Sequence, residues 1–452
     1  MIKQGGFFSR ILSEKARLWF VIGIMAAVPL GEFITNLFDV TFVTQPIIIA
    51  AFGIYGLILI IANIYEIMDN KKLYPTDMFC YLILFFALLS LVFSTDIVLS
   101  TTSFNTGEWI FHYCAYLALL MAASGLSNVN RKKTMLVFMA VAIFNSVVGA
   151  LQTFGIFITD CNRDPEWYRE NRIIFAFTQN SNFYAGLSIL FTALFFGAFI
   201  FSEKKLYKIL TLAGAMLSFY ASIFTATRIA WVGNIMMVLF YAGSFIVMYK
   251  SKNDKSFLAP KLKRFIFITA VFAVLIIIWA LFTDIFKQSL DEFQIDFGSS
   301  FDYFGSRRGY IWKFALESVP KHWLFGIGYD NFIAVFYTNP RWQDGMESFS
   351  HAHNEYIHIL ATQGVFAVIN YISMLIYCVV TAVKNILKDG EGENRTLTWI
   401  FLGMLVSYAA QAFFNSSIIN VAIYFWITIG LTMPKSSQKP IILDRNKTVS
   451  EK

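Results

Sequence analysis

A chain of 452 residues that is 57% hydrophobic and only 14% charged, with a formal net charge of +7, is too apolar for a soluble domain, in which about a quarter of residues are charged. Its mean hydropathy of +0.60 and recurrent apolar runs of bilayer-spanning length predict an all-α polytopic membrane protein. The four cysteines (Cys80, Cys114, Cys161, Cys378) lack metal-site spacing, and only Cys161 is expected outside the cell, so no disulfide framework follows.

In chain order, twelve spans are predicted over about 18–34, 43–65, 79–95, 107–126, 135–158, 174–201, 209–224, 229–249, 265–283, 363–383, 398–414 and 421–433. The first run, Leu18 to Ile34, follows Lys3, Arg10, Lys15 and Arg17 and has no small-residue cleavage pattern, so it reads as a retained anchor. The polar connections then alternate sides. Of the 36 Lys and Arg residues, 26 fall on the side that carries both termini and 10 on the other, which places the termini in the cytoplasm. Residues 1–433 read as one integral membrane domain, with an extracytoplasmic loop subdomain over 284–362, and 434–452 as a polar, disordered cytoplasmic tail.

The outward cations are confined to Arg163, Arg169 and Arg172, to Arg228, and to the long loop before the tenth span. Topology does not require cations there, so the cluster points to an anion such as a phosphorylated lipid or substrate. The competing reading pairs them with Asp160, Asp164, Glu166, Asp302 and Asp344. The polar run Thr178-Gln179-Asn180-Ser181-Asn182 interrupts the sixth span and predicts a partly unwound, water-lined segment. Arg228, after Thr225-Ala226-Thr227, stands against an apolar run and needs an anionic partner. Glu108 and His112, four residues apart, are expected to pair; Glu32 has no clear assignment.

Residues 284–350 are too many for a simple connector, and helical spacing of apolar residues from Arg307 to Val319 predicts one or two short helices lying over the membrane face. The aromatic residues of this loop, Phe293, Phe297, Phe301, Tyr303, Phe304, Tyr337 and Trp342, suit sugar stacking or burial in the membrane interface. Ser306 is expected to cap a helix on which Arg308 and Trp312 share a face. A helix start beside an arginine fork suits phosphate oxygens. Pro320 is expected to end that helix, and Gly326 and Gly328 to form a tight turn rather than a dinucleotide site. Three of the five histidines fall between His351 and His358. If Ser350 caps the next helix, His353 lies in its first turn, where the helix dipole keeps imidazole neutral and able to accept a proton. His351 competes for that role, and no ligand spacing completes a metal site.

These elements, in this order, resemble the O-antigen ligase and O-antigen polymerase superfamily of bacterial membrane glycosyltransferases. The resemblance rests on Asn180 and Asn182, Thr227-Arg228, Arg308-x-x-x-Trp312, Pro320 to Phe332 with its Gly-x-Gly, and His353-Asn354 followed by an apolar helix with Gly364. It is strongest over about 175–370. It implies a metal-independent inverting transferase without cofactor in the bacterial cytoplasmic membrane. The implied donor is a glycan on undecaprenyl diphosphate and the acceptor a glycan, lipid or protein; nucleic acid has no part. It implies His353 as catalytic base and Arg228 and Arg308 as diphosphate ligands, with Asn182, Trp312 and Asn354 in support. The doubled Arg307-Arg308 and the extra His351 depart from the pattern and leave both choices open. A lipid-linked glycan flippase is the alternative, although such proteins place charges along a midplane path and often in repeated halves, neither of which is visible here.

Overall fold

The computed structural model describes residues 7–38, 44–102, 108, 110–159, 165–251, 258–283, 286–287, 291, 294, 298, 300–343, 345–388 and 392–443. Asp160, Cys161, Arg163, Asp164, Phe293, Phe297 and Asp344 therefore lie outside the described residues. The helices of nine residues or more are labelled in order: α1 (Glu14–Leu37), α2 (Thr44–Asn70), α3 (Pro75–Val92), α4 (Ile110–Ser124), α5 (Asn128–Thr153), α6 (Ser181–Phe201), α7 (Lys205–Ile223), α8 (Arg228–Ser251), α9 (Leu258–Phe282), α10 (Phe304–His322), α11 (Glu355–Gln363), α12 (Val365–Lys388), α13 (Glu393–Gln411) and α14 (Ile419–Thr432).

Among the described residues, nine helices are long and apolar enough to cross a membrane: α1, α2, α3, α5, α6, α7, α8, α9 and α12. The other three predicted spans fall on α4, α13 and α14, of 15, 19 and 14 residues. The two short ones are below the roughly 20 residues a free-standing span needs. Every residue of α14 and nearly all of α4 is buried, as is almost all of α6. Helices apolar on all sides pack as a bundle interior, and these three form it. Close approach sets their contact: at Gly430 of α14, a Cβ would sit 2.5 Å from the Leu120 carbonyl oxygen of α4.

Two expectations are corrected here. The sixth span starts at Ser181, not 174: a 3-10 turn (Ala176–Thr178) precedes it, Gln179 is left-handed at φ 56°, and Asn180 caps α6 by accepting from the Asn182 amide at 2.9 Å. The polar run therefore leaves the helix because its side chains satisfy the helix end. The segment after Met433, expected to be disordered, docks through residue 443. Lys435 reaches the fully buried Asp77 at 2.7 Å, Gln438 accepts from the Thr76 amide at 3.2 Å, and Ile441–Ile442 pairs antiparallel with Lys72–Leu73. The buried carboxylate gives this polar segment a partner that composition does not reveal.

Candidate active site

The loop subdomain is built on α10, which begins with an irregular turn. Gly305, Ser306 and Arg307 have φ of 65°, 56° and 70°. Two consecutive non-glycine residues in this region cost roughly 1–3 kcal/mol each, so the surroundings must hold them. Ser306 is not the expected N-cap, a position that takes extended backbone. Its hydroxyl instead accepts from the Arg228 guanidinium at the start of α8. Arg308, 9% exposed, turns inward: Nη1 donates to the Gly305 carbonyl at 2.6 Å and Nε to the Phe414 carbonyl at 3.0 Å. Arg228 and Arg308 thus converge on adjacent residues of one turn.

One turn along α10, as the spacing predicted, Trp312 shares the Arg308 face. Its ring lies 6.3 Å from Phe414, and its indole N–H donates to the Ala352 carbonyl at 2.9 Å. That bond fixes the residue next to His353. The helix of this motif begins later than expected. Asn354, not Ser350, caps α11 by accepting from the Ile357 amide at 3.0 Å. His353 therefore precedes the helix, with φ 48°. Asn354 is a capping residue, and His351 faces His358 at a ring distance of 5.6 Å.

The floor is a connection that sequence reading passed over, residues 412–418 between α13 and α14. Phe414 holds Arg308. Asn415 Nδ2 donates to the Asn182 carbonyl at 3.0 Å. The Ser417 amide donates to the Glu355 carboxylate at 2.5 Å and the Glu355 amide to the Ala412 carbonyl at 2.9 Å. Its polar Asn415-Ser416-Ser417 run between two apolar segments was the available signal. Glu32, left unassigned by sequence, accepts from Gln179 Nε2 at 2.5 Å, which joins the end of α1 to the start of α6.

Other candidates are not brought to this cluster. Arg307 forms an ion pair with Glu347 and lies over the Tyr303 ring, and Asp302 pairs with Lys313 at 3.4 Å. Arg169 stacks on Phe157, and Arg172 donates to the Thr153 carbonyl at the end of α5. Glu108 accepts from the Tyr116 hydroxyl at 2.9 Å. α10 runs two residues beyond Pro320 before stopping. Gly326 and Gly328 do form the expected turn, at φ 72° and 129°, with the amides of Ile327 and Gly328 donating to the Ala361 and Thr362 carbonyls at the end of α11. Among the described residues, no group of three or more His, Cys, Asp or Glu side chains is arranged to hold a metal ion.

Residues 213–372 match the family described as O-antigen ligase. The match covers 160 of the 452 residues and supports an O-antigen ligase or polymerase type for that segment. It does not favour the flippase alternative. No curated protein matches the chain. The O-antigen ligase match contains Arg228, Arg307, Arg308, Trp312, His351, His353 and Asn354. Asn182 and the 412–418 connection lie outside it, yet the hydrogen bonds above tie both to the matched segment. The match and the nine helices apolar and long enough to cross a membrane fit a multi-pass membrane protein.

Proposed function

We propose that this protein is an inverting glycosyltransferase of the O-antigen ligase or polysaccharide polymerase type. It moves a glycan from undecaprenyl diphosphate to an acceptor hydroxyl at the outer face of the bacterial cytoplasmic membrane, with both termini in the cytoplasm. The observation that carries the reading is the joining of Arg228 and Arg308 at the 305–306 turn, beside the segment that presents His353. Two guanidinium groups suit the charge that grows on a departing diphosphate, in the role a divalent cation plays elsewhere.

In this scheme His353 removes the proton from the acceptor hydroxyl. The oxygen bonds to the anomeric carbon from the side opposite the leaving group. The carbon–oxygen bond to the diphosphate breaks, and its electron pair leaves with the diphosphate. Trp312 and Asn354 position the histidine, and Asn182 supports the floor through Asn415. Arg307, paired with Glu347, is the less suited of the adjacent arginines.

The test is transfer by the purified protein from an undecaprenyl-diphosphate glycan to added acceptors. Support is a covalent product that disappears in His353→Ala while the variant remains folded. Full transfer by that variant, or relocation of the intact lipid-linked glycan without a new glycosidic bond, overturns the proposal.

A further inference from the structure

The turn from Gly326 to Phe332 carries Tyr329 and Asp330 into a cavity behind the His351–Glu355 segment. Three carboxylates line it: Glu108 from before α4, Asp330 from the turn, and Glu355 from α11, together with Tyr329 and His358. Its volume of about 40 Å³ accommodates a few water molecules and no sugar ring. Tyr329 is 4% exposed, and its hydroxyl has no hydrogen-bond partner among the described residues, so a buried polar group faces this space. The remaining titratable groups on the walls are Tyr113 and Tyr116 of α4 and Tyr371 of α12; α14 contributes only uncharged side chains.

Three acidic groups in one small space cannot all ionise without strong mutual repulsion. Burial pushes Glu355 up to about 7, opposed by the Ser417 amide. Burial, with His351 adding to it, pushes His358 down to about 3, so this ring is neutral and can take a proton on one nitrogen while releasing one from the other. The His358 ring links the cavity to His351, two residues before His353.

We propose that this cavity is the proton exit of the transfer reaction. The proton that His353 takes from the acceptor hydroxyl passes by way of His351 and His358 to Glu355 and Glu108, and from them to water. No co-reactant is consumed. The sugar–oxygen bond forms, the sugar–diphosphate bond breaks, and the proton moves onto Glu355 in the molecules where that carboxyl is ionised, which near neutral pH is a substantial fraction, and from there to solvent. This inference rests on the transferase reading and gives a role to the Gly-x-Gly turn, whose Tyr329 and Asp330 otherwise have none. Glu355 and Glu108 act through His353 and do not touch substrate.

Two measurements on the full-length protein test it. Infrared titration, which requires no turnover, is expected to show protonated carboxyl groups persisting at neutral pH. The signal should shrink in Glu355→Gln and again in the double variant with Glu108→Gln. In the transfer assay Glu355→Gln is expected to lower kcat tenfold or more, change the donor KM less than twofold and displace the alkaline or acidic limb of the kcat–pH profile; Glu355→Asp restores part of the rate. Absence of protonated carboxyls at neutral pH, or wild-type kcat and pH profile in both glutamine variants, overturns the proton exit. A wild-type protein that shows the infrared signal but forms no glycosidic product overturns the transferase reading, and the exit role with it, while the cavity's protonation stands.

Discussion

The guanidinium of Arg228 donates to the hydroxyl of Ser306, tying the first residue of α8 to the left-handed turn that opens α10. Arg308 closes the same turn from the other side through the Gly305 carbonyl. The Ser306 bond orients Arg228 toward the turn, whereas Arg307 points to the Glu347 carboxylate.

Arg228→Ala should reduce transfer by roughly 10²-fold or more, the scale of removing one charge-stabilising donor. Arg228→Lys should recover only part of this, because a point charge lacks the planar fork. Arg307→Ala should cost far less. Initial rates with a fixed acceptor check the order; equal losses at 228 and 307 contradict it.

Because His353 has φ 48°, it should tolerate replacement by residues that accept positive φ. His353→Asn should keep the thermal stability of the parent, since asparagine enters the left-handed region readily, yet lose transfer. His353→Val should lose stability as well. Thermal melts in detergent alongside activity separate the two effects.

At Gly309 a Cβ would lie 1.7 Å from the Phe301 carbonyl oxygen, a backbone contact with nowhere to move. Gly309→Ala is expected to displace the 301–308 turn and lower both Tm and transfer. Ser306→Gly relieves a left-handed residue but removes the hydroxyl, so it should hold or raise Tm while weakening transfer. A fall in Tm for Ser306→Gly contradicts the assignment of strain to this turn.

The pH dependence of stability follows from Glu355, outside the membrane spans. Its folded-state pKa is raised by burial from 4.5 to about 7, so the native state holds the proton more tightly than the unfolded chain. The stability this contributes is complete below about pH 4.5 and is lost as pH rises through about 7. Glu355→Gln should flatten that decline. Melting curves across this interval in both proteins provide the check, and parallel declines exclude Glu355 as the source.

Lys435 is the partner of a fully buried carboxylate, so Lys435→Ala should destabilise by about 3–5 kcal/mol, the cost of stranding a buried charge. Adding Asp77→Asn to that variant should restore most of the loss. Chemical unfolding of the two variants measures it.

Hydropathy and periodicity alone determined the helical membrane class, the location of the helices and the residues around Arg228, Arg308, Trp312 and His353. Each of those signals is local: an apolar run, a charge out of place, or a spacing of one helical turn. The tertiary structure decided the rest. Partners more than 230 residues apart in the chain placed Asn415 on Asn182 and Glu355 beside Glu108. Enclosure by neighbouring helices made α4 and α14 interior elements shorter than a free-standing span. Packing against Arg228 held Ser306 in a backbone region that serine avoids, where sequence reading placed an ordinary cap. A buried Asp77 gave the polar segment after Met433 a fixed position. Local patterns report which residues avoid or seek water; only the folded chain brings distant polar groups close enough to satisfy, strain or repel one another.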